Sequence, residues 1–170
     1  MAMSPLVQAQ IEAYKAAGWE VRLNNLEDRP SACAYVYDDG TRVIEMFGDP
    51  SCQTWLLTFL HEVAHHVLGH CDGWSSEPDW SQEFKANSWA LQMIAALTPD
   101  DLDACTHDAQ NHMRGVLQPW VQEWGAERLP WDMIAWAGCY VPPYLRHHLP
   151  QGKVSLDHGQ LVIEIERMKE

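Results

Sequence analysis

The chain has 170 residues, 46% of them hydrophobic and 10% aromatic, which is enough for one domain with a sizeable core. Its formal net charge of −13 and pI near 4.9 set up a field that repels phosphate backbones. No Lys/Arg cluster offsets that field, so direct nucleic-acid binding is not expected.

From Ser4 to Ala17 the apolar residues Leu6, Val7, Ile11 and Tyr14 recur at helical spacing, with Pro5 suited to a first position and Gly18 to a stop. An amphipathic helix is predicted there. Between Trp19 and Phe47 the texture changes to strand: Trp19, Val21 and Leu23 alternate with polar residues. Tyr35-Val36-Tyr37 then meets Thr41 to Met46 across Asp38-Asp39-Gly40, which predicts a small antiparallel sheet with a hairpin. Asp49-Pro50 reads as the cap and first residue of a helix carrying Trp55, Leu56, Phe59, Leu60, Val63, Val67 and Leu68 as far as Gly69. Apolar residues occupy most of its circumference, the mark of a buried helix.

After the loop-like stretch Cys71 to Pro78, Phe84, Trp89, Leu91, Met93, Ile94 and Leu97 mark a helix from about Asp79 to Leu97. Thr98-Pro99-Asp100-Asp101 opens another, and a further helix is expected over His107 to Gly125. Trp131 to Cys139 and Tyr144 to Leu149, separated by Pro142-Pro143, read as two short helices in a helix-turn-helix-like arrangement. Lys153 to Leu156 and Gln160 to Ile165 flank Asp157-His158-Gly159 as a terminal hairpin. Five cysteines, an odd number with no CxxC pair, read as reduced thiols. Met1 to Glu20 holds no apolar run of signal-peptide length and no later run approaches a membrane span, so a cytoplasmic protein without membrane association is expected.

The run His61-Glu62-Val63-Ala64-His65 carries the chemistry. Residues four apart lie one turn above each other, so His61 and His65 can bind one tetrahedral ion while Glu62 reaches a water activated by it. A catalytic zinc takes a third protein ligand, and Glu83 on the next predicted helix is the leading choice. Asn87, on the same face, is placed to hold a ligand histidine or the carboxylate. His70, Cys71 and Asp72 are the competing third ligands. The longer metzincin pattern fails by one residue, because Leu68 and Cys71 stand where its glycine and third histidine belong. Glu83, Ala86 and Ala90 form a stripe that would let the two helices approach closely. The His, His, Glu set favours zinc over manganese. Glu62 is the expected base and proton carrier to the leaving amine. His107, His112, Tyr140, His147 and His148 are the candidates for the oxyanion donor, and His66, about 100° round the helix from His65, is read as structural.

With HEVAHHVLGH followed by EFKANSWA and ALQMIAALTP, the chain resembles the ImmA/IrrE family of zinc metallopeptidases. The hairpin before the active helix, Pro99 after the glutamate helix and the helical stretch Met133 to Leu149 extend the likeness over roughly residues 30 to 149. The resemblance implies His61, His65 and Glu83 as zinc ligands, Glu62 as catalytic base and Asn87 as the asparagine of the glutamate helix. Lys85 departs from the second acid that members often carry. It further implies a protein substrate, a transcriptional repressor or other DNA-binding regulator.

The expected fold class is therefore α+β: a small antiparallel sheet with a hairpin on a zincin-like helical core, helix-turn-helix-like C-terminal helices and a terminal hairpin. A single metallopeptidase domain over 1–170 is expected, with a minimal catalytic part at about 30–100, a helical part at about 100–150 and the hairpin at about 151–168. The expected function is zinc-dependent endopeptidase. Two alternatives compete: a catalytically silent, zinc-stabilised protein-binding module built around the nine tryptophans, and a SprT-like protease acting on DNA-bound proteins, which the acidic balance disfavours.

Overall fold

Ser4 caps the first helix by accepting the Val7 N–H at Oγ, 3.2 Å away, and Pro5 supplies the fixed φ of a first helical residue. That helix, α1 (Pro5–Ala16), buries Val7 and Ile11 and sets Tyr14 edge-on against Phe59. The computed structural model describes residues 3–24, 31–52, 54–71, 79–123, 130–142, 144, 152–157 and 160–165, the last two segments as backbone alone. The fold is mixed α and β, with five helices and a small three-stranded sheet among these residues.

The sheet comprises β1 (Glu20–Asn24), β2 (Ser31–Val36) and β3 (Arg42–Phe47) in the order β1-β3-β2. β2 and β3 form the expected hairpin, with Val36 opposite Arg42 and Ser31 opposite Phe47, and Asp39 Oδ1 accepts the Thr41 N–H in the turn. β1 corrects the expectation of an antiparallel sheet. It pairs with β3 in parallel, Glu20 beside Val43 and Asn24 beside Phe47, because the hairpin strand next to it is the second and not the first. Alternating hydrophobicity shows which faces are buried; it carries no strand order. As the central strand, β3 buries Val43, Ile44 and Met46, while Leu23 of the edge strand β1 stays exposed.

The expected helix start at Asp49-Pro50 is also corrected. Asp49 Oδ1 accepts the Ser51 N–H and its carbonyl accepts the Cys52 N–H, so the pair closes a turn that lifts the chain off β3. The helix α2 (Trp55–Val67) begins only after it, and ten of its residues are buried, from Trp55 through His66. Each large apolar side chain taken fully from water contributes about 1.5–3 kcal/mol, so this helix anchors the core. Val67, 52% exposed, and Leu68 depart from the expected buried face, since they lie where the helix leaves the core.

The second helix of the site, α3 (Asp79–Leu97), has the expected ends and packs along α2 with Ala86 and Ala90 fully buried. Beyond it, a 3₁₀ turn at Pro99–Asp101 runs straight into α4 (Leu102–Glu123). One helix thus replaces the two expected over this stretch, with Cys105, Ala109, Met113, Leu117 and Val121 as one continuous buried stripe. α5 (Trp131–Ala137) ends at Gly138, whose φ of 66° suits glycine. Of the expected second C-terminal helix, Tyr144 alone lies within the described residues, and 145–149 fall outside them. The terminal hairpin is present as β4 (Gly152–Asp157) against β5 (Gln160–Ile165). None of the five cysteines is in a disulfide, and no described helix is long and apolar enough to cross a membrane.

Candidate metal centre

Helical spacing puts His61 and His65 one turn apart on α2, and the small side chains of α3 let Glu83 reach them. Glu83 Oε2 lies 3.0 Å from His61 Nε2, Glu83 Oε1 lies 3.4 Å from His65 Nε2, and the two Nε2 atoms are 3.0 Å apart. Ligands at zinc's usual bond lengths stand about 3.3 Å from one another in a tetrahedron. The three donor atoms therefore need to move only by tenths of an ångström to share one ion. Among the described residues this is the group of His, Cys, Asp or Glu whose ligand atoms cluster, all within 4.8 Å. Two imidazoles and one carboxylate fit a zinc site that keeps a position for water.

The local electrostatics follow from this crowding. Burial works to raise the Glu83 carboxyl, yet the hydrogen bonds and the charge interactions of His61 and His65 together outweigh it and hold that carboxyl well below its usual range. Glu62, only 9% exposed, is pushed up by burial, with His61 and His65 opposing. It stands beside the triad and contributes no ligand atom to it.

The competing ligands find other roles. Gly69, at φ 75°, does turn the chain back: the Gly69 N–H bonds the His66 carbonyl and the His70 N–H bonds the His65 carbonyl, a Schellman cap. This carries the His70 ring to the far side of His65, where the two Nδ1 atoms are 3.1 Å apart. If His65 offers Nε2 to a metal, its Nδ1–H donates to His70, which fixes both tautomers. His70 thus stands behind His65 and outside the cluster that could hold a metal. Cys71 directs its Sγ to the Ala34 carbonyl, and Asp72 lies outside the described residues. His66 is structural, as expected: buried, it donates Nε2–H to the Val43 carbonyl at 2.9 Å and packs edge-on against Trp19.

Asn87 sits at the site without holding a ligand side chain. Its Nδ2 donates to the Glu83 backbone carbonyl at 2.9 Å and contacts His112 Nδ1 at 3.3 Å. Of the five oxyanion candidates, the fold brings His112 alone to the centre among the described residues. Its Nε2 is 3.6 Å from Glu83 Oε2 and its ring meets His61 edge-on. His107 and Tyr140 are exposed elsewhere, and His147 and His148 lie outside the described residues. Composition alone could not separate these five, because the contact depends on how α4 crosses α3.

Two hollows meet at His61. A cavity of about 360 Å³ is bordered by Ser31, Thr58, Asp108 and Asn111 on the α4 side, and a cleft of about 820 Å³ runs along β2 past His65 and Glu83. His61, Glu62 and His112 border both. The arrangement places a group that could hold a metal ion, with a buried carboxylate beside it, on the wall of an open cleft. Compared with family models, with curated proteins and with solved structures, the chain finds no match.

Proposed function

We propose that the chain is a zinc-dependent endopeptidase of the ImmA/IrrE kind, hydrolysing a peptide bond in a specific protein. The observation that carries this reading is the His61, His65, Glu83 cluster with the buried Glu62 beside it, opening on a cleft of about 820 Å³ along β2. A zinc ion bound there would supply an acidified water and a polarised carbonyl. His61 and His65 offer Nε2 and Glu83 a carboxylate oxygen to hold it. Glu62 takes the proton of the attacking water at its carboxylate and delivers it to the leaving amine, a role that suits a buried carboxylate held beside the cluster without being part of it. A site whose only purpose is structural would be closed by a fourth protein ligand and has no use for such a base.

The resemblance carried by HEVAHHVLGH and EFKANSWA implies a transcriptional regulator as the substrate class, with the cytoplasm as the place of action. The charge of −13 sets this apart from a SprT-like action on DNA-bound proteins, which requires attraction to the duplex.

The test uses zinc-loaded protein and a peptide library prepared from a whole-cell proteome, with new N-termini identified by mass spectrometry. The wild type should generate them, while Glu62→Gln retains zinc and loses at least 10²-fold in rate. Equal cleavage by the variant removes Glu62 as base. A zinc-bound wild type that cuts nothing favours the silent binding module.

A further inference from the structure

The amide of Asn87 has one permissible orientation. The group 2.9 Å from it is the backbone carbonyl of Glu83, which can only accept, so the amide nitrogen and not its oxygen must face that carbonyl. The same nitrogen meets His112 Nδ1 at 3.3 Å. An amide nitrogen only donates; Nδ1 therefore accepts, and the neutral ring carries its proton on Nε2. Nε2 is 3.6 Å from Glu83 Oε2, beyond good hydrogen-bond reach, so its proton is not committed to the carboxylate.

The same atom is not one of the clustered ligand atoms. His112 falls outside the set whose ligand atoms all lie within 4.8 Å of one another. Its side chain is 47% exposed, and with Glu62 it borders both hollows. A peptide bond held in either hollow beside Glu62 shares that hollow's wall with this donor.

Building on the hydrolytic reading above, we infer that His112 is a catalytic residue whose Nε2–H, oriented by Asn87, hydrogen-bonds the scissile carbonyl oxygen as negative charge develops on it. No proton is transferred in this role; the imidazole stays neutral and the bond strengthens toward the transition state. Asn87 is then a positioning residue that selects the tautomer.

Long-range ¹H–¹⁵N correlation spectra of the histidine rings in the wild-type protein, metal-free and zinc-loaded, read the tautomer directly. The expected result is an unprotonated Nδ1 and a protonated Nε2 at His112; the opposite tautomer overturns the inference. His112→Ala, at an exposed position, should keep one zinc per chain. On a peptide that the wild type cleaves, it should lose 10²- to 10³-fold in kcat with KM within about twofold. Loss of zinc makes His112 a ligand and overturns the inference, as does unchanged kcat. A wild type that cleaves none of the peptides overturns the hydrolytic reading and the role of His112 with it, whereas a cleaving wild type matched by His112→Ala overturns the role of His112 alone.

Discussion

A histidine that binds a metal through one nitrogen needs its other nitrogen oriented, and of the two histidines of the HExxH run one has a partner for that nitrogen. His65 is backed by His70, while His61 Nδ1 has no hydrogen-bond partner among the described residues. Removing the His70 ring frees His65 to rotate. His70→Ala should therefore weaken zinc binding 10- to 100-fold, measured by competition with a chromophoric chelator; unchanged affinity would reduce His70 to packing. Away from the site, burial in α4, aided by Asp101 and Asp108, pushes the Cys105 thiol up to about 12 from an ordinary 9.0. Between those values the unfolded chain has lost a proton that the native chain keeps. The stability this provides is complete below pH 9 and is lost as pH rises toward 12. Cys105→Ala should make the fall of unfolding free energy with pH shallower across that window by as much as about one proton, as read from urea titrations at successive pH values. An identical slope would show that the thiol ionises alike in both states.

Among the elements, α2 bears two loads: it fills the core with Trp55, Phe59, Leu60 and Val63, and it presents His61, Glu62 and His65 to the cleft. Both need its end to be defined, since one more helical turn would carry His70 away from His65. Gly69 provides that end at φ 75°, where a side chain costs about 1–2 kcal/mol. Gly69→Ala should lose that much stability in urea denaturation, and Gly69→Asn less, because asparagine tolerates the left-handed region. Equal losses would point to packing and not to the backbone. The approach of α3 rests on Ala86 and Ala90, both fully buried, and it is this closeness that lets a glutamate side chain bridge two helices.

On the scale of the whole molecule, the triad ties α2 to α3, and through His112 and Asn87 also to α4. A metal that binds only the folded chain therefore adds to global stability. At a hundredfold excess of free zinc over its Kd the gain is about 2.7 kcal/mol, which corresponds to roughly 5–11 °C in a chain of this size. Chelation of zinc-loaded protein should lower Tm by that amount, and Glu83→Ala should show no comparable response to metal. A variant that responds like the wild type would place the third ligand elsewhere.

Much of this was legible in the order of residues, because some physical causes are local. The four-residue spacing of His61 and His65, the apolar circumference of α2, Ser4-Pro5 at a helix start and Asp38-Asp39-Gly40 in a turn act over a few bonds of chain. Glu83 could be singled out because its helix carries small residues in register with it. Local signals also misled where two structures share them: Asp49-Pro50 suits a turn as well as a cap, and Thr98 to Gly125 suits one helix as well as two. The parallel pairing of β1, the turning of His70 onto His65 and the choice of His112 from five candidates depend on contacts between segments far apart in the chain. By itself the sequence determined which chemical groups the chain can offer: two imidazoles one helical turn apart, a carboxylate beside them and another on the next helix. Only the tertiary structure decided which of its other polar groups face that chemistry, since burial and hydrogen-bond direction arise when helices pack.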